Sequence, residues 1–167
     1  MKEPDRLARN QQRLTECFPT FANRVAKVIT EMEVMGFRPR IQDAHRTIED
    51  QLKAVREGHS TVTFSFHNVT SAADKPEALA VDLLDDDSPL EPSRKYVITL
   101  ASVAQKNGLH SGIFFFKTEP PPGTRQALQV AIDALNFDSH IAIGFDPTHL
   151  EPTGLTIAEA KAGKRPT

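Results

Sequence analysis

Four residues of this chain combine types that can do chemistry together: His67, Asp82, Asp146 and His149. Two imidazoles and a carboxylate make a nitrogen and oxygen donor set that suits Zn²⁺, with one coordination position left open for water. Asp146 stands three residues before His149, in the stretch GFDPTHLEP. A carboxylate so close to a metal ligand could take a proton from that water as a general base. Plainer readings stand beside this one. Asp-Pro favours turns, so Asp146 to His149 also reads as an ordinary turn between strands. Asp82 lies inside the apolar run ALAVDLL, where an unpaired carboxylate costs several kcal/mol to bury. It needs a metal, a cation or several hydrogen bonds, and a strand-end cap or an arginine partner would also satisfy it.

The surrounding pattern says which elements must position these groups. Apolar residues at helical spacing predict a helix over about 5–16, interrupted at Pro19. A second helix runs from Thr20 through Val25, Val28 and Met32, with Gly36 as its stop. FRPRIQDAHR is short and extended, and Thr47 with Asp50 opens a helix that ends at Gly58. The alternating STVTFSF predicts a strand ending at His67, and ALAVDLL a buried central strand. SRKYVITLASVAQKNG after Pro92 predicts a helix closed by Gly108. IFFF reads as a short strand, KTEPPPGTR as a rigid loop, QALQVAIDALNF as a helix and HIAIGF as a final strand. Helices first, then strands interleaved with helices, predict an α+β fold: a small, mainly antiparallel sheet flanked by helices, with the site at the sheet face.

A chain of 167 residues with 39% hydrophobic and 25% charged residues can bury a core without disulfide staples, and fits one domain. Residues 1–35 would be N-terminal helices, 36–151 the core that carries the motifs, and 156–167 a frayed tail. A net charge of −2 makes no electrostatic case for nucleic acid. Cys17 is the only cysteine, which excludes a disulfide within the chain and a thiolate zinc cluster. The polar start MKEPDRLARNQQRL has no apolar run and is not expected to be a Sec-type signal peptide, and no stretch approaches the ~20 apolar residues of a membrane span. Synthesis in the cytoplasm and no membrane insertion are expected; work outside would need phage-type lysis or another route of delivery. A monomer is expected.

The motifs resemble a known family, the zinc peptidases of the bacterial cell wall. It includes D-Ala-D-Ala carboxypeptidases and the L-alanyl-D-glutamate endopeptidases of phage endolysins and bacilli. The family's first motif, S-x-H-x-x-G-x-A-x-D, is similar to Ser65-Phe66-His67 at its opening and Ala80-Val81-Asp82 at its close. Its second, D-x-x-H or E-x-x-H, is similar to Asp146 to His149, and THLE resembles its common PHFE ending. HRTIEDQ resembles the family's YRSxEEQ, and NGLHSG its GLxWGG. The four motifs stand in the family's order. The resemblance implies one Zn²⁺ per chain on His67, Asp82 and His149, Asp146 as base, and Arg46 polarising the scissile carbonyl. It implies supporting or substrate-binding roles for Ser65, Gln51 and His110.

The substrate implied is a peptidoglycan stem peptide, at the L-Ala-D-Glu bond of the endolysin-like branch. The alternatives are a D-Ala-D-Ala carboxypeptidase or dipeptidase and a catalytically silent wall-binding relative. An unrelated α+β protein with coincident His and Asp residues is the bland alternative. His67 and Asp82 stand fifteen positions apart, further than in the motif, so 69–77 reads as an insertion, and about 113–140 reads as another. The motif's Gly is Ala78, and the chain has no tryptophan. Among the other histidines, His140 is the rival ligand, His45 reads as structural, and His59 as exposed beyond its helix. The acidic run DDDSP reads as a solvated loop that caps the next helix.

Overall fold

The computed structural model describes residues 1–58 and 60–167. Ten regular elements form it. Helices α1 (Glu3–Leu14) and α2 (Pro19–Val34) come first, then β1 (Pro39–Asp43), α3 (Ile48–Arg56) and β2 (Val81–Asp85). Helix α4 (Arg94–Lys106), β3 (Leu109–Ser111), α5 (Thr124–Ala134), β4 (His149–Pro152) and α6 (Ile157–Lys161) follow. The strands pair antiparallel throughout, in the order β1-β2-β4-β3. This is the expected α+β architecture.

Pro19 does not merely interrupt a helix; it takes the first turn of α2, where its missing N–H costs nothing. Gly36, just beyond α2, has φ +87°, the left-handed geometry that ends a helix. Helix α4 is the hub. Tyr96 to Ala104 are all buried, as expected of a helix that is apolar on every side. It packs against α2, α5 and β3, and the Tyr96 hydroxyl donates to the Leu83 carbonyl at 2.8 Å. That bond ties the hub to β2, the strand that carries Asp82.

Several expectations fail, each for a local reason. STVTFSF is not a strand: residues 61–65 bend, and Phe66–Asn68 form a 3₁₀ turn. Ser65 and Asn68 build a capping box there, and this turn chemistry outweighs the β-branched alternation. IFFF gives a 3₁₀ turn at Gly112–Phe114, while the strand lies just before it in LHS. HIAIGF is irregular, although Gly144 and Phe145 still donate backbone bonds to Ile113 and Phe115 at 2.6 and 2.8 Å. The last strand is His149–Pro152 itself.

The tail does not fray. Ala160 of α6 is buried, and Arg165 bonds Glu77 at 2.9 Å and the Thr70 carbonyl at 2.7 Å. DDDSP is not a free loop either: Asp86 is buried against Arg40 at 2.8 Å and Arg38 at 3.3 Å, and the N-terminal amine lies 3.1 Å away. His59 lies outside the described residues. Among the described residues, no helix is long and apolar enough to cross a membrane.

Candidate metal centre

Asp82 and His149 are cross-strand partners in the β2–β4 ladder, so their side chains rise from the same sheet face. The His149 Nδ1 lies 3.3 Å from the Asp82 Oδ1. His67 arrives from outside the sheet, on the 3₁₀ turn, with Nε2 3.6 Å from the same oxygen. The turn is held against the end of β1 by backbone-directed bonds. His67 Nδ1 donates to the Ala44 carbonyl at 2.6 Å, Arg46 N–H to the His67 carbonyl at 2.9 Å, and Asn68 Nδ2 to the Arg46 carbonyl at 2.7 Å. Residues 44–47 and 65–68 thus form one unit, although seventeen residues separate them in the chain.

The donor set fits a metal ion. One ligand atom from each of His67, Asp82 and His149 lies within 4.8 Å of the others. Two ligands about 2.0–2.1 Å from a tetrahedral zinc sit about 3.4 Å apart, close to the two distances to Asp82. Each ring also has its other nitrogen committed. Ala44 takes the His67 Nδ1 proton, and the Glu151 carboxylate lies 3.1 Å from His149 Nε2. This fixes both tautomers so that a lone pair on His67 Nε2 and on His149 Nδ1 can face the ion. Two imidazoles, one carboxylate and an open position are a zinc-type set.

Charge and burial tune the cluster. Burial pushes the Asp82 carboxyl up, but hydrogen bonds from His149 and His67 outweigh it and hold the group well below the usual carboxylate range. Burial pushes the His149 imidazole down, yet the Asp82 and Glu151 carboxylates raise it to about 10. In the metal-free protein at neutral pH, His149 therefore carries a proton on both nitrogens. Its raised value adds stability that is complete below pH ~6.5, the unfolded value, and is lost as pH rises through about 10. The metal and this proton compete for Nδ1. Metal binding to chelator-treated protein near pH 7–8 is expected to release about one proton per chain. An indicator dye in weak buffer reads it, and no release would show His149 already neutral.

Asp146 lies at the cluster's open side, with Oδ2 4.0 Å from His149 Nδ1. Burial and the neighbouring Asp82 charge raise its carboxyl above the usual value. The DPTH segment is therefore both a turn and part of the site. It is seated by Ser111, whose hydroxyl donates to the Pro147 carbonyl at 3.1 Å, and by Gly112. A methyl group at Gly112 would overlap the Asp146 carbonyl oxygen and stand 3.1 Å from the His149 Cβ. Gly112→Ala is expected to cost about 1–3 kcal/mol in denaturant unfolding and to weaken metal binding. Unaltered stability would mean that the loop yields freely.

The other residues expected at the site divide. Arg46 lies beside the cluster, its guanidinium held by Asp43 at 2.7 Å and by the Gln51 Oε1 at 3.0 Å. Gln51 is fully buried and donates to Ser60 Oγ at 2.9 Å and the Val62 carbonyl at 2.6 Å, so it braces Arg46. The Ser65 hydroxyl is turned to Asn68 Oδ1 at 3.1 Å and caps the His67 turn. His110 lies on β3, opposite Glu151. The rival ligand His140 is exposed and bonded to Asp138 at 2.8 Å, away from the cluster. His45 is half-buried, with its backbone N–H on Glu16. Asp43 and Glu151 are the residues in contact with the candidate site that motif reading passes over. Glu151 shows only once β4 is known to be a strand, which puts it two residues beyond His149 and on the same face. Asp43 shows only through the β1–β2 register, where it faces Asp82.

No family model and no curated protein matches the chain. Among solved structures, the L-Ala D-Glu endopeptidase ChiX of Serratia marcescens is similar at 15% identity and a TM-score of 0.54, over 87% of this chain and 87% of that one. A variant of the D,D-pentapeptidase VanY, from a VanB-type vancomycin resistance cassette and in complex with Zn(II), aligns at 15% identity and a TM-score of 0.43. That alignment covers 85% of this chain and 74% of that chain. The chain thus shares the fold of the endopeptidase.

Proposed function

We propose that this protein is a zinc peptidase that hydrolyses peptidoglycan stem peptides, with the L-Ala-D-Glu bond as its target. The observation that carries the reading is the His67, Asp82 and His149 cluster with a raised carboxyl, Asp146, 4.0 Å from one of its ligand atoms. Sharing a fold with an L-Ala D-Glu endopeptidase supports the choice of bond, as does an Asp rather than a Glu ahead of the last ligand.

His67 and His149 would hold the ion through Nε2 and Nδ1, and Asp82 through its carboxylate. A bound zinc would supply Lewis acidity to the scissile carbonyl and to the attacking water. Asp146 takes the proton that this water gives up as the new C–O bond forms. A carboxyl raised by burial is a better base for this than an ordinary one. Asp146 then hands it to the amine nitrogen as the C–N bond breaks, which leaves a carboxylate and a free amine. Arg46, held in place by Asp43 and Gln51, donates to the developing oxyanion. Removing Arg46 is expected to lower turnover by about 10²–10³-fold, the usual loss for one oxyanion donor.

The test is cleavage of two synthetic stem peptides by zinc-loaded protein, one scissile only at L-Ala-D-Glu and one only at D-Ala-D-Ala. Cleavage of the first supports the full reading. Cleavage of the second alone moves the target bond, and cleavage of neither with zinc bound sinks the peptidase assignment.

A further inference from the structure

Beyond β4, on the side away from Asp82, an open pocket of about 380 Å³ lies between α4, β3 and the first two turns of α5. Gln105 and Gln129 form one wall, their side-chain amides paired reciprocally at 2.9 Å. Phe114, His110, Arg125 and Gln126 form the rest. Phe114, Arg125, Gln126 and Gln129 fall within the stretch that reads as an insertion, so of the pocket's walls the resemblance gives a role to His110 alone.

Two observations join it to the metal centre. His110 pairs with Glu151 across the β3–β4 ladder, and Glu151 is the carboxylate beside His149. The two histidines therefore face the same side of the sheet. The Phe115 ring stands between them, 5.7 Å from the His149 ring and 5.8 Å from the His110 ring, centroid to centroid. The pocket and the cluster are thus linked along one face of the sheet through Phe115.

The chemistry of the walls says what that residue carries. The His110 ring is stacked on Phe114 at 5.5 Å and 18° and is half-buried. Among the described residues, its ring nitrogens have no hydrogen-bond partner. Burial lowers its pKa and so favours the neutral ring, which keeps one N–H to donate. The Arg125 guanidinium rests over the Phe116 ring at 5.4 Å, and its ionic partner is Glu119, whose side chain is 81% exposed. Such a solvent-facing pair contributes little, so an incoming anion can replace Glu119.

We propose that this pocket is a substrate subsite for a residue with a free carboxylate next to the cleaved bond, with Arg125 as the ionic partner and His110 as a hydrogen-bond donor. It rests on the peptidase reading, since stem peptides carry such carboxylates along their length. The probes are γ-D-glutamyl-L-lysine and the same dipeptide with the glutamyl α-carboxyl converted to an amide. Neither contains the scissile bond, so calorimetry on zinc-loaded protein reads binding without turnover.

The wild type is expected to bind the acid about ten- to a hundredfold more tightly than the amide, the range for a charge-assisted contact. Arg125→Gln is expected to bring that ratio close to one, and His110→Phe to reduce it by a smaller factor. Arg125 is a surface residue, and an unchanged zinc content confirms that the variant is folded. Equal binding of acid and amide by the wild type overturns the proposal, as does a preference that survives Arg125→Gln. A preference for the acid in a protein that cleaves no stem peptide would uphold the carboxylate site and sink the peptidase reading alone. Cleavage without the preference would do the reverse.

Discussion

Asp146→Ala is expected to lower stem-peptide turnover by about 10²–10⁴-fold, the share usually supplied by a positioned general base, while zinc stays bound. The two effects separate because Asp146 lies outside the ligand set: its carboxylate is 4.0 Å from His149 Nδ1, while the three ligand atoms lie together without it. The substitution also removes a negative charge beside Asp82, which is one of the reasons the Asp146 carboxyl is raised. No unpaired partner is left behind, so the fold should hold. Elemental analysis and a cleavage assay on the same sample test both halves. Near-normal turnover would show that another group takes the proton. Loss of zinc would show that Asp146 is a ligand.

His149→Ala and His67→Ala should each lose the metal, and with it all turnover above background. Each supplies one of only three protein donors, and a two-donor site holds zinc far less firmly. A thermal readout makes the difference plain without any substrate. Zinc at about a hundredfold above its Kd stabilises a folded protein by ~2.7 kcal/mol. For a chain of this length that corresponds to a Tm increase of about 5–10 °C. The wild type should show this shift and both variants should not. His149→Ala carries a further cost, since it leaves Asp82 and Glu151 without the imidazole that lies between them. Its metal-free Tm should fall below that of metal-free wild type, because an uncompensated buried carboxylate remains. A zinc-dependent shift that survives in either variant would overturn the ligand assignment.

Glu151→Gln tests the second carboxylate on His149. An amide at that position can still accept the Nε2 proton but carries no charge. Zinc affinity is expected to fall by about 10- to 100-fold, the usual effect of removing such a supporting carboxylate, and a competition titration with a chelator reads it. Unchanged affinity would mean that Glu151 only fills space.

The chemistry was largely legible in the sequence, because it depends on residue type. Two histidines and a carboxylate inside an apolar run, with an aspartate three residues before the last, imply their donors and a base wherever the chain places them. Helices were legible too. Gly36 and Gly108 stop α2 and α4, and Ser93 caps α4 through the Tyr96 N–H at 3.1 Å. These are local bonds that a short stretch settles by itself.

The strands were read less well, since a strand exists only through its partner. STVTFSF has the alternation but no neighbour, and the Ser65 and Asn68 capping box bends it into the turn that His67 requires. His149–Pro152 has a proline and a glutamate and reads as a loop, yet β2 and β3 flank it and make it a strand. What the sequence by itself determined is the candidate donor set, the proposed base and the helical frame. What only the tertiary structure decided is that these groups meet. The β2–β4 register sets Asp82 opposite His149, Ala44 turns the His67 ring, Glu151 fixes the His149 tautomer, and Asp43 and Gln51 hold Arg46. Each of these depends on bonds between residues distant in the chain, and no local pattern encodes such bonds.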